Sequence, residues 1–209
     1  MEDIPHDLIF NWNQTGISIV PGLTWTMEFK GSIRVEITGI SDKHQITAVF
    51  CGTMAGEFLP PQLIYQGKTT ACLPRYNFPS DWHVTFTPNH WSNEVKVIEY
   101  IKKIIIPFVE QKRKDLKLPP DQPALALFDV FKGQQTEEVA TLLEENNILL
   151  VPIPANCTDR LQPMDLSINK AAKEFMRSRF REWYATEVHR QLEEGSKQIS
   201  PVDLRMSTI

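Results

Sequence analysis

The chain has 209 residues, 42% of them apolar and 10% aromatic, enough to bury one substantial core. Its net charge of −4 argues against a strongly basic domain that grips nucleic acid over a whole surface, and leaves any such contact to a local patch. Three scattered cysteines, Cys51, Cys72 and Cys157, without a CxxC pair, suit reduced intracellular thiols better than a disulfide framework or a zinc site.

The N-terminus MEDIPHDLIF has neither a basic segment nor a long apolar core, and no stretch is long enough to span a membrane. The expectation is a cytosolic or nuclear protein. LIFNWNQTGISIV begins as a run of aromatic and branched residues and reads as a buried strand ending near Asn13. SIRVEITGIS alternates Ile33, Val35 and Ile37 with polar residues, as a half-buried strand does, with Gly39 interrupting it. ITAVFCGTMAGEFLPPQLIYQG supplies another strand, a glycine-containing turn and a further extended run, so this half reads as an antiparallel meander. The proline- and aromatic-rich stretch from Leu73 to Trp91 is expected to be an ordered loop.

A helix should come next, capped by Ser92 or Asn93, with Val97, Ile98, Ile101, Ile104 and Ile105 on its apolar face and a kink or break at Pro107. KRKDLKLPPDQP reads as a helix end and surface loop, its cluster Lys112, Arg113, Lys114 and Lys117 as plain surface. From Pro123 the pattern becomes strand, helix, strand. ALALF is a short apolar run such as a central parallel strand shows; TEEVATLLEEN offers Thr136 as a cap and Val139, Leu142 and Leu143 as an inward face; ILLVPIP is the next strand. A last helix over about Leu166–Glu194 should bury Ile168, Ala172, Phe175, Met176, Phe180 and Trp183. These elements fit one α/β domain.

Two acids in this frame can serve one purpose. Asp129 ends the ALALF strand, and Asp165 stands where the last helix begins, just after Pro163, either as a cap or as a ligand. Carboxylates held at strand ends suit a divalent ion, and cleavage of phosphodiesters commonly uses two such ions. At the end of the first strand, where a third carboxylate would complete the set, stands Asn13.

FNWNQTG, GISDKHQITAVFCGTMAGEFLPPQLIYQGKT, LFDVFKG and VPIPANCTDRLQPMDLSINKAAKEF carry a resemblance that covers nearly all of residues 9–183. The chain resembles the DDE-superfamily endonuclease domain of pogo/Tigger-type transposases, a group related to the centromere-protein-B lineage. The resemblance implies an RNase H-like fold: a mixed five-stranded sheet, antiparallel meander plus parallel strands, flanked by helices. It implies a single DDE-type domain over 1–209, with its core at about 8–192 and without the family's N-terminal helix-turn-helix modules. Asp129 then matches the second catalytic acid and Asp165 the third. The first acid belongs in an NxDxTG pattern, and Asn13 fills that position. The resemblance thus implies a site of Asn13, Asp129 and Asp165 for Mg²⁺ or Mn²⁺, on a transposase-derived nuclear domain whose catalysis is weakened or lost.

Several basic residues are candidates for DNA contact. Lys170, Lys173, Arg177 and Arg181 recur at spacings of three and four and form one helical stripe, which could track a phosphate backbone or be a solvated face. Lys132, close after Asp129, is the residue best placed for a phosphate. The five histidines show no metal-ligand spacing, and His189 reads as structural. Beside a binding domain for DNA, as a homodimer or with host nuclear proteins, stand two alternatives: an active Mg²⁺-dependent endonuclease and strand transferase, and a protein-interaction scaffold.

Overall fold

The computed structural model describes residues 4–20, 45–129, 136–154 and 162–193. Its strands are β1 (Ile9–Ser18), β2 (Gln45–Thr53), β3 (Gln62–Gln66), β4 (His83–Thr87), β5 (Ala124–Asp129) and β6 (Ile148–Ile153). They form one mixed sheet in the order β4-β3-β2-β1-β5-β6. β1, β2 and β3 are antiparallel neighbours, whereas β4 pairs parallel with β3, β5 with β1, and β6 with β5.

The alternation of side chains along each strand assigns a face to every residue. Phe10 and Trp12 share one face with Cys51, Ala126 and Phe128, their ladder partners or same-face neighbours, and all five are essentially inaccessible. Trp12 stacks between Phe10 and Phe128, with ring centroids 6.1 and 5.8 Å away. This face is covered by α1 (Glu94–Tyr100), a π turn (Ile101–Ile105), α2 (Ile106–Asp115) and α3 (Glu137–Glu144), which contribute Val97, Tyr100, Ile101, Ile104, Ile105, Val109, Val139 and Leu143. The other face carries Asn11, Asn13, Thr15 and Ile17. Over β2, β3 and β4 its apolar residues Ala48, Leu63 and Tyr65 are packed by Leu73 and Phe78. The loop that brings Leu73 over the sheet needs Gly67, because a Cβ there would collide with Cys72 Sγ.

Several local expectations hold. Asn93 caps α1 by accepting from the Lys96 N–H, and Thr136 caps α3 by accepting from Val139. β5 is flanked by β1 and β6 on either side. Others need correction. The sheet has a sixth strand, β4, inside the stretch expected to be a loop; the prolines around it mask a short alternation in which His83, Thr85 and Thr87 are buried and Val84 and Phe86 lean on the second face. β1 continues past Asn13 to Ser18 because β2 pairs with it throughout. Pro107 does not break the helix. Its missing N–H falls just after the π turn, whose wider bonding absorbs the lost contact, and the helix runs on to Asp115. Arg113 is not a surface residue: it is 5% exposed, and its guanidinium donates to the carbonyls of Gln122, Asn146 and Asn147, closing the C-terminal end of α3. The segment SIRVEITGIS lies outside the described residues.

His83 anchors the sheet edge. The Gln62 amide nitrogen donates both to its Nδ1 (2.9 Å) and to the Lys96 carbonyl (2.9 Å). Nδ1 is therefore the unprotonated nitrogen, and the Nε2–H faces Glu99 Oε2 at 3.2 Å, with Lys103 Nζ 3.1 Å from the same nitrogen. Burial, reinforced by the charges of Lys103 and Lys96 and opposed by Glu99, lowers the His83 pKa below its ordinary value. The folded chain thus binds fewer protons here than the unfolded one. This contribution to stability is present above the ordinary imidazole pKa of about 6.5 and is lost as pH falls through the folded value. Urea unfolding should show a lower midpoint at acidic than at neutral pH, and His83→Gln should flatten that dependence.

Candidate metal and nucleic-acid site

The parallel ladder between β1 and β5 pairs Ile9 with Leu125 and ends at Trp12 with Phe128. That last pair lies one residue before Asn13 on β1 and one before Asp129 on β5, adjacent strands whose usual spacing is about 4.8 Å. Asp129 enters this arrangement through its backbone, which still pairs with Ile153 of β6. Asn13 is 5% exposed, and its Oδ1 accepts from the Gln14 backbone N–H at 2.8 Å, just past the last β1–β5 pair. The side-chain carbonyl thus holds one donor and keeps a second lone pair.

Asp165 reaches the same face by a tether that the sequence did not reveal. Asn11, buried and on the Asn13 face of β1, donates through Nδ2 to the Leu127 carbonyl (2.8 Å) and to Gln162 Oε1 (3.0 Å); its Oδ1 accepts from the Met164 N–H (3.1 Å). The side chain therefore stitches β1 to β5 and to the start of the last helix. Opposite Asn11 on β2 is Gly52, where a Cβ would approach Met164 Cε to 2.9 Å, so the missing side chain leaves room for the incoming segment. The only available signal was an amide two residues before Asn13, set between Phe10 and Trp12.

The last helix opens with a π turn over Met164–Ile168 and continues as α4 (Asn169–Glu193). Asp165 lies within that wide turn, half-buried, not at an N-cap, since Pro163 already has helical backbone angles. Its N–H donates to the Gln162 carbonyl at 3.1 Å, and its Oδ1 accepts from the Asn169 amide one turn later at 2.7 Å. Gln162 Nε2 and Asn169 Oδ1 are buried with no hydrogen-bond partner among the described residues. Among the described residues no three His, Cys, Asp or Glu side chains form a metal-binding cluster. The oxygen donors of this region are instead the Asp165 carboxylate and the Asn13 amide carbonyl, with Asp129 following the last β1–β5 pair by one residue. An all-oxygen set of that kind suits a hard cation such as Mg²⁺ or Mn²⁺.

The basic candidates fare unevenly. Lys132 lies outside the described residues. Lys170 is exposed and Lys173 half-buried, but Arg177 lies 3.1 Å and Arg181 3.9 Å from the carboxylate of Glu174, which interrupts the stripe with negative charge. Phe175 and Met176, expected in the core, are 60% and 41% exposed, whereas Phe180 is buried and its ring lies against those of Trp183 and Tyr184 on the same helix. His189 is not structural either: it is exposed on α4, 3.2 Å from Glu193. Replacing Asn11 with Leu would leave the Gln162 amide oxygen, the Met164 N–H and one bond to the Leu127 carbonyl without their partner. Urea unfolding should show a loss of about 2 kcal/mol or more, with faster amide exchange at the start of the last helix.

A family model described as DDE superfamily endonuclease matches residues 43–203, a span that holds Asp129 and Asp165 and begins after Asn13. The human protein "Pogo transposable element with KRAB domain" is 25% identical over 142 residues, and its mouse counterpart 24%. Each match covers 68% of this chain and 22% of the relative, so the chain spans about a fifth of the length of the curated relatives it matches. The structure is similar to a pre-cleavage Mos1 transpososome, with TM-score 0.56 and 12% identity over 86% of this chain and 48% of that one. It is similar in the same degree to the Mos1 mariner paired end complex with Mn, with TM-score 0.56 and 13% identity over 92% of this chain and 49% of that one. At such identity the likeness speaks for the fold alone, which is RNase H-like with helices flanking a mixed sheet. With its matched span covering most of the sequence, the chain belongs to the DDE superfamily endonuclease family.

Proposed function

We propose that this transposase-derived domain holds a divalent cation between Asn13, Asp129 and Asp165 and binds DNA over that part of the sheet, but cleaves it weakly or not at all. What supports the reading is the β1–β5 register, which ends one residue before Asn13 and Asp129, together with the Asn11 tether that docks the start of the last helix against the Asn13 face of β1. Bound there, Mg²⁺ or Mn²⁺ would supply positive charge to a phosphodiester and help form an attacking hydroxide. The chain's part is to set the oxygen donors on a rigid sheet. Asn13 can offer a carbonyl oxygen, yet it lacks the negative charge of a carboxylate. Disturbing even groups that only support metal ligands costs about 10- to 100-fold in affinity or activity, and losing a ligating charge should cost at least as much.

In this reading the core from about residue 8 to 192 works as one nuclear domain. Contact with DNA would come from Lys132, Lys170 and Lys173, with a smaller share from Arg177 and Arg181 because Glu174 partly neutralises them. Binding should therefore be weak and fall steeply with salt. The similar Mos1 structure is a paired end complex, which supports a homodimer on DNA; host nuclear proteins are a further class of partner.

The test is nicking of supercoiled plasmid in Mg²⁺ and in Mn²⁺ by the parent chain and by Asn13→Asp. The parent should cut weakly or not at all. The variant should gain about 10- to 100-fold or more, and Asp165→Ala should abolish what either shows. Equally strong cleavage by parent and variant would instead favour the fully active endonuclease.

A further inference from the structure

Asn169 stands on the first turn of α4, 3% exposed, and nothing about metal ligation requires an amide there. Its Nδ2 donates to Asp165 Oδ1 at 2.7 Å, a short bond of the kind a charged acceptor favours. Its own Oδ1 has no partner among the described residues although it is buried. A buried amide left half-satisfied costs stability, typically about 1–3 kcal/mol for an unpaired group. The arrangement is therefore poor as a structural device: a leucine, branched at the same carbon, would pack there without an orphaned oxygen. The hydrogen bond does one thing that packing cannot. It fixes one oxygen of the Asp165 carboxylate and so the rotation of the whole group, leaving Oδ2 as the oxygen available to an ion.

From this geometry we infer that Asn169 is a positioning residue for Asp165, holding its carboxylate in the orientation that binds the divalent cation. The inference rests on the metal reading above and specifies how one of its ligands is aimed. The π turn favours the pairing. Asp165 lies inside the wide turn and Asn169 comes immediately after it, so the two meet where the helix changes from π to α geometry. Pro163, whose carbonyl accepts from Ser167 Oγ at 2.7 Å, and the Gln162 carbonyl, which accepts from Asp165 N–H, hold the turn from the other side. The backbone of Asp165 is thereby held independently of Asn169, and only the carboxylate's rotation depends on the amide.

The test uses Mn²⁺ alone as probe, with the full chain, its Asn169→Leu and Asn169→Ala variants, and two readouts: Mn²⁺ affinity by calorimetry, and the metal-free melting temperature. Asn169→Leu keeps the packing and should melt at or near the parent temperature, yet bind Mn²⁺ about tenfold more weakly, the lower end of the range for groups that orient metal ligands. Asn169→Ala should weaken Mn²⁺ binding as much while also melting earlier. A purely structural role predicts the opposite for the folded protein: lower melting temperatures with unchanged Mn²⁺ affinity, and that result overturns the inference while leaving the metal site standing. If the parent itself binds no Mn²⁺ at millimolar concentrations, the metal reading fails and the positioning role fails with it.

Discussion

The parallel pairing of β1 with β5 is the constraint on which the rest of the molecule depends. It joins the antiparallel half of the sheet to the strand-helix-strand half, and its register decides which side chains of the two halves meet. On one face that register aligns Trp12 with Phe128 inside a stack of three aromatic rings. Sliding β1 by one residue would turn those rings to the other face and bring the asparagines into the helix-covered core. Burial of the aromatic rings, each worth a few kcal/mol against water, thus fixes the placement of polar residues on the opposite side. Core packing and site geometry are two consequences of the same ladder.

Asn11 extends that control across the chain. Its bonds to Gln162 and Met164 would be worth little at a surface, but both are buried, and removing their partner exposes the full cost of unpaired groups. A residue near the start of the chain thereby decides where a helix far later in sequence begins. Such a contact ties the last helix to the central strand without a large apolar face, which suits α4. Most of that helix is exposed, and its long stretch of charged residues forms local ion pairs such as Arg177 with Glu174 and Arg179 with Glu182. Those exposed pairs contribute little to stability. The helix is held chiefly at its beginning, where Asn11 meets Gln162 and Met164.

Much of the fold was legible from the sequence because periodicity reports burial directly. The run ALALF, the spacing of Val97, Ile101, Ile104 and Ile105, and the caps at Asn93 and Thr136 all behave as the pattern demands. Strand β4 was hidden because its alternation is short and sits among prolines and aromatic residues that read as loop. Arg113 was hidden among basic neighbours, since nothing in a cluster of charges marks the one whose fork meets three carbonyls. Phe175 and Met176 misled in the other direction: their helical spacing is that of a core face, but the body of the protein offers them no partner surface among the described residues. In the candidate site, Asn13, Asp129 and Asp165 could be picked out as residue types that hold a cation. The amides that aim and anchor them, Asn11, Gln162 and Asn169, could not, because an amide's role depends on what it faces.

The amide at position 13 also bears on how the metal-free chain folds. Carboxylates on adjacent strands repel each other at short range, and a sheet edge carrying several of them holds together best when a cation lies between. Asn13 brings no charge to its place beside Asp129, and its carbonyl is already engaged by the neighbouring N–H. The central strand can therefore complete its ladder without a counter-ion. An acid at that place would make folding sensitive to the supply of divalent cations; the amide makes the architecture self-sufficient.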